Sequence, residues 1–190
     1  MHRKTSRGDQ EISNPRQIRV LASPVRQDIL DTVDAAGPCS VAQLARLLGM
    51  RADGLYYHIR CLSQAGLLKV ASAKNKRGRR EARLEVGRYQ WIKYRPSSAA
   101  NRNAVVRVAG AMLRNARRQF ARAFHPDIAA ISGPKRNLWA ARARAFLSPD
   151  DLKRLNILLA ELLDLFDPSA RPPDSGALHE ITFVIAPVRK

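Results

Sequence analysis

The sequence predicts a mainly α-helical protein with one small β-hairpin. Three observations carry that expectation. Apolar residues recur at helical spacing on both sides of Gly49, two strand-like runs flank a basic tip at 74–80, and long amphipathic stretches fill the chain beyond Pro96. Taken together they predict a winged helix-turn-helix followed by a helical region that ends in a strand. The expected divisions are a flexible basic arm at 1–13, a winged helix-turn-helix at 14–96 and a helical domain at 97–190.

The N-terminal stretch MHRKTSRGDQEIS is polar and basic, without the apolar core of a secretory signal. The first firm helix is expected at Ser23, a good N-cap followed by Pro24 at the first helical position. Val25, Ile29, Leu30 and Val33 form its apolar stripe, and Gly37-Pro38 stops it. Ser40 caps a second helix whose stripe is Val41, Leu44, Ala45 and Leu48. Gly49 ends it, because glycine enters the left-handed region at little cost.

A third helix starts near Arg51 or Ala52, and its apolar face is Leu55, Ile59 and Leu62. Its outer face carries Asp53, Tyr57, Arg60 and Gln64, with Tyr56 at the side. Helix, glycine turn and a second helix with a polar outer face make a helix-turn-helix. Residues 67–73 and 81–86 then bracket the tip KNKRGRR, in which five of seven residues are Lys or Arg. Placed directly after a helix-turn-helix, this hairpin reads as a wing. Its Lys74, Lys76, Arg77, Arg79 and Arg80 are candidate phosphate contacts rather than only a solvated turn.

The stretch from NPRQIRVLASPVRQDIL through GPCSVAQLA to LYYHIRCLSQAGLL resembles the winged-helix domain of ArsR-type bacterial transcription regulators. The likeness covers about residues 14–86. It implies a DNA-binding regulator. Major-groove readout from the third helix would let Arg60 bond a guanine bidentately and Tyr56 and Tyr57 touch thymine methyls or phosphates, with Arg51 at the helix start fixing register on the backbone. Metal-sensing members of that family resemble one another in a Cys-x-Cys pair near the second helix, and this chain lacks one.

Residues 88–95 read as a strand or a crossing, and residues 96–98 as a linker. Residues 101–124 form a long amphipathic helix with Val105, Val108, Ala109, Met112, Ala116 and Phe120 on one face and an arginine row on another. In dimeric regulators of this resemblance such a helix commonly pairs with its mate. A short helix is expected at 138–146, presenting Trp139 and Phe146. Ser148-Pro149-Asp150-Asp151 starts a leucine-rich helix, and residues 178–186 read as a last strand. The expected dimer contacts are Val105, Val108, Met112, Phe120, Leu155, Leu159, Leu162 and Phe166. Trp139, Phe146 and Phe166 are candidates for an apolar effector pocket, or equally for core.

Net charge is +18, from 34 Lys and Arg against 16 Asp and Glu, which favours a polyanionic partner. The excess lies on both sides of Pro96, so it is not a property of the wing alone. Cys39 and Cys61 are the only cysteines and cannot form a disulfide framework, which fits a reducing cytoplasm. No apolar run approaches the length of a membrane span.

An enzyme finds little support. Ser132 and Lys135 match Ser-x-x-Lys, but Pro134 between them breaks the helical turn that chemistry needs. His125-Pro126-Asp127 resembles the loop of J-domain co-chaperones without the rest of that domain. His58 and Cys61 lie one turn apart, yet two ligands from one helix cannot close a metal site. No cofactor and no metal is expected. The expected function is a sequence-specific, homodimeric regulator bound to double-stranded DNA, with a small-molecule effector as a further possibility. Two alternatives stand beside it: a non-specific nucleic-acid binder (nucleoid-associated or RNA-binding) and an adaptor whose winged helix docks an acidic protein.

Overall fold

The computed structural model describes residues 11–74, 80–86, 92–167 and 176–188. Of the flexible arm expected at 1–13, residues 1–10 lie outside the described residues, and the rest differs from the expectation. Ile12 is buried and bridges Ile92, while the Lys93 ammonium pairs with Glu11, so residues 11–13 are part of the fold. Of the strand expected at 88–95, residues 88–91 fall outside the described residues, and Ile92 makes that single bridge. Helix α1, Pro15–Val20, precedes the helix expected first; Asn14 caps it by accepting from the Arg16 N–H at 2.9 Å. Asn-Pro is the same kind of start signal as Ser23-Pro24, but six residues are too few to show a stripe.

Helix α2 is Pro24–Ala36, and the left-handed Gly37 ends it at φ 70. A two-residue strand β1, Cys39–Ser40, runs directly into helix α3, Val41–Leu48. Helix α4, Asp53–Gln64, follows, then strands β2, Leu68–Lys74, and β3, Arg80–Val86. The antiparallel sheet has the order β1-β3-β2, with Cys39 opposite Leu84 and Val70 on the other side of the same residue. This is a winged helix-turn-helix, as the sequence predicted. β1 was not foreseen, since a two-residue strand exists only through its pairing with Arg83 and Leu84.

One core joins these elements. Ile18, Ile29, Leu44, Leu55, Leu62, Leu68 and Leu84 are fully buried in it, each contributing about 1.5–3 kcal/mol of apolar transfer. The core continues past Pro96 into helix α5, Ala99–Ala123, whose Ala104 and Val108 belong to it. Residues 96–98 are a hydrogen-bonded turn rather than a loose linker: the Ser98 N–H donates to the Arg95 carbonyl at 3.0 Å. Buried Asn101 locks that turn, accepting from the Arg95 N–H at 2.8 Å and donating to the Lys93 carbonyl at 3.0 Å. Small Ala104 and Ala111 let α5 lie close against α1, its most extensive helical contact.

A buried polar group ties α5 to α2. Asn115 donates to Asp28, and Arg118 pairs with the same carboxylate at 2.6 Å. Asn115 also donates to Glu180 at 3.5 Å, bringing the C-terminal segment onto this spot. Carboxylates crowd here. Asp31 keeps an edge in solvent yet is ringed by protein; desolvation first, then Glu180, Asp28 and Asp34, pushes its carboxyl up to about 7. Burial likewise raises the Glu180 carboxyl.

Two expectations for the C-terminal half are corrected. Residues 138–146 are not helical. Asn137 spends its side chain on the Ile128 carbonyl and the Ala130 N–H, and Arg136 holds the Leu138 carbonyl while lying over the Trp139 ring at 3.5 Å. Those bonds fix an irregular path, and a nine-residue helix without a buried face cannot outweigh them. Residues 178–186 are not a strand either; a strand needs a ladder, and among the described residues none pairs with it. Helix α6, Pro149–Asp164, does form, opened by a capping box between Ser148 and Asp151. None of its residues is buried.

Candidate nucleic-acid interface

The turn between α3 and α4 is built locally. Ser40 Oγ accepts from the Gln43 N–H at 3.2 Å, and Gln43 Oε1 accepts from the Ser40 N–H at 2.8 Å, so two free donors are satisfied reciprocally. Gly49 stands at φ 61 and lets the Met50 N–H reach back to the Ala45 carbonyl at 2.9 Å. That left-handed step turns the chain sharply enough for α4 to lie across α3.

Leu55, Ile59 and Leu62 seat α4 on the core. Every residue assigned to its outer face is exposed: Asp53, Tyr56, Tyr57, Arg60 and Gln64 all reach solvent, as does Arg51 just before the helix. Tyr56 and Tyr57 are each 58% exposed, a large aromatic area for a soluble surface to leave open. Arg60 has no ion-pair partner among the described residues. It lines an open cleft of about 360 Å3 with Tyr56, Ile59, Ser63, Gln64 and Val70. Ser63 and Val70 were not anticipated from the sequence. Val70 shares a face of β2 with buried Leu68 but lies two residues further along, beside α4, where it is largely exposed.

The charges around this face differ in their freedom. Arg51 lies 3.4 Å from Asp53, with both side chains largely in solvent. Such a pair is weak and screened, but it and the positive end of α4 offset the one acidic group on the face. His58 sits half-buried behind Tyr57, the two rings edge to face at 5.3 Å and 72°. Its Nδ1 is buried without a partner, and desolvation, then the Arg26 guanidinium, lowers its pKa. The edge-to-face contact makes the His58 ring a prop for Tyr57. Among the described residues no cluster of three or more His, Cys, Asp or Glu is placed to hold a metal.

The wing pairs through Lys74 opposite Arg80, so the two strands enter the tip from adjacent positions. Lys76, Arg77 and Arg79 lie outside the described residues. The residues expected at a dimer contact separate into two groups. Val108 faces the chain's own core, with Val105 and Met112 packed against it. Phe120, Leu155, Leu159, Leu162 and Phe166 are not buried. The suggested effector pocket does not assemble, because Phe146 is entirely exposed and Trp139 lies beneath Arg136.

A family profile for helix-turn-helix domains matches residues 21–71, from just before α2 to within β2. That span holds the whole of α3, the turn and α4. No curated protein matches the chain. Among the described residues no helix is long and apolar enough to cross a membrane.

Proposed function

We propose that this chain is a sequence-specific DNA-binding transcriptional regulator of ArsR-like type, acting as a homodimer and not as an enzyme. The observation that carries the reading is the outer face of α4, where Arg60 and Tyr56 line an open cleft beside the exposed Tyr57, within a helix-turn-helix match. A helix presented in this way fits the major groove, where a guanidinium bonds bidentately to guanine O6 and N7. Arg51 and the wing cations supply phosphate contacts that hold register.

Selection of bound fragments from random duplex DNA by the purified full-length protein tests this. A regulator enriches one motif, with two half-sites about one helical turn apart if two recognition helices bind together. At that motif Arg60→Ala is expected to cost about 1–3 kcal/mol and to relax base preference at one position. A uniform loss on all sequences would make Arg60 a phosphate contact instead.

The net charge of +18 favours a second reading, a non-specific nucleic-acid binder. Selection without an enriched motif would establish it. Under either reading, replacing Arg77, Arg79 and Arg80 together by Ala should flatten the log–log salt dependence by roughly 0.9 for each phosphate no longer neutralised. Salt titration on operator and random duplexes reads this. An unchanged slope would leave the wing tip merely solvated.

A further inference from the structure

Helix α5 carries an apolar stripe that its own chain does not use. Val106, Leu113 and Phe120 recur every seven residues and are 68%, 52% and 37% exposed. Ala109 and Ala116 fall between them and Ala123 follows, completing a three-four repeat in which bulky and small residues alternate. This is a coiled-coil seam, pointing away from the α1 and α2 contacts.

Helix α6 has the same repeat with bulky residues throughout, Leu152, Leu155, Leu159 and Leu162, and Phe166 continues it just past the helix end. The α5 seam runs two heptads, about 21 Å along the axis, and the α6 seam about 15 Å before Phe166 extends it. Leucines facing alanines interdigitate, whereas a parallel pair of α5 seams would set small against small and bulky against bulky; an antiparallel α5 pair escapes that mismatch but not the repulsion of its arginines. Charge points the same way. α5 has six arginines and no acid, while α6 has four acids against Lys153 and Arg154. An isolated helix of α6's length is marginal in water, so its stripe needs a cover.

The exposed area indicates a second copy. A compact monomer of 21.2 kDa exposes about 9,100 Å2, yet this chain exposes 14702 Å2. Granting every residue outside the described segments the area of an unfolded chain still leaves about 1,900 Å2 in excess. One partner's share of a stable obligate interface is about 1,000–2,500 Å2.

We infer that α6 is an exchanged arm: in the homodimer it lies along the Val106–Leu113–Phe120 seam of the second copy's α5, and the second copy returns the contact. This rests on the homodimer reading above and names what makes that dimer. The exposed run at 139–147, which is neither helix nor strand, is the connector that lets α6 leave its own body.

Leu113 and Leu159 stand at the midpoints of the two seams, so they meet whether the helices run parallel or antiparallel. The test uses full-length chains with Cys39→Ala and Cys61→Ser, one tagged chain carrying Leu113→Cys and a differently tagged one Leu159→Cys, co-expressed and then oxidised. A covalent dimer bearing both tags is expected, with little product from either chain alone. Efficient linking of Leu113→Cys chains to one another would overturn the exchange in favour of α5 pairing with α5. An intrachain link in the double variant would overturn it in favour of α6 folding back. No link at all also overturns it.

Light scattering on the wild type separates the two levels: a monomer removes the homodimer itself, whereas a dimer without the mixed link removes only the exchange. Hydrogen exchange gives an independent readout. Leu113→Glu should strip protection from α6 and leave α4 protected; unchanged α6 protection overturns the inference.

Discussion

Arg118→Ala is expected to destabilise the protein by about 3 kcal/mol, although Arg118 lies far from the cleft beside α4. Its guanidinium is the cation on Asp28, whose side chain is only 9% exposed. Removing it leaves a buried carboxylate held by Asn115 alone, and breaking one side of a buried pair costs more than the pair contributes. The loss should be pH-dependent. Desolvation pushes the Asp31 carboxyl up to about 7 from its ordinary 3.8, so its protonation-linked stability is full below about 3.8 and is lost as pH rises through about 7. With the cation gone, the ionised carboxylates of Asp28, Asp31 and Glu180 repel one another more. The deficit should thus be larger at pH 8 than at pH 5, read by denaturant unfolding at both. An equal deficit at both values would mean that Arg118 contributes by packing its stem rather than by its charge.

That cluster shows where sequence reading stops. Asp28 and Arg118 belong to different helices, and no spacing rule connects them. The local signals were legible: Ser40 as a cap, Gly49 as a left-handed stop, and the three-four spacing of Leu55, Ile59 and Leu62 each follow from the chemistry of a single turn. Hence the recognition helix and its outer face could be assigned residue by residue. β1 could not, because two residues become a strand only when β3 arrives beside them. On α5 the apolar positions were visible, but their allocation was not. Val108 faces inward and Val106 outward because α1 occupies one side, and α1 itself was too short to be seen. The sequence 178–186 has strand-forming residues throughout, yet β structure needs a partner, and composition cannot supply one.

Leu55→Ala is expected to cost about 2–5 kcal/mol, the usual range for emptying a fully buried leucine site. The loss should fall on the element that matters for binding. Leu55 lies in the first turn of α4, and with Ile59 and Leu62 it is what holds the helix against the core. Tyr56 is the informative comparison. It is the adjacent residue on the same turn, but exposed, so Tyr56→Ala should change stability by no more than about 0.5 kcal/mol. Binding should respond in the opposite order once only folded protein is counted. Tyr56→Ala removes a side chain from the outer cleft and should weaken the complex. Folded Leu55→Ala keeps the whole outer face and should bind nearly normally. Urea unfolding, paired with duplex titration at concentrations corrected for the folded fraction, reads both quantities. If Leu55→Ala cost less than about 1 kcal/mol, α4 would not be seated by this face, and the outward orientation of Arg60, Tyr56 and Tyr57 would lose its physical basis.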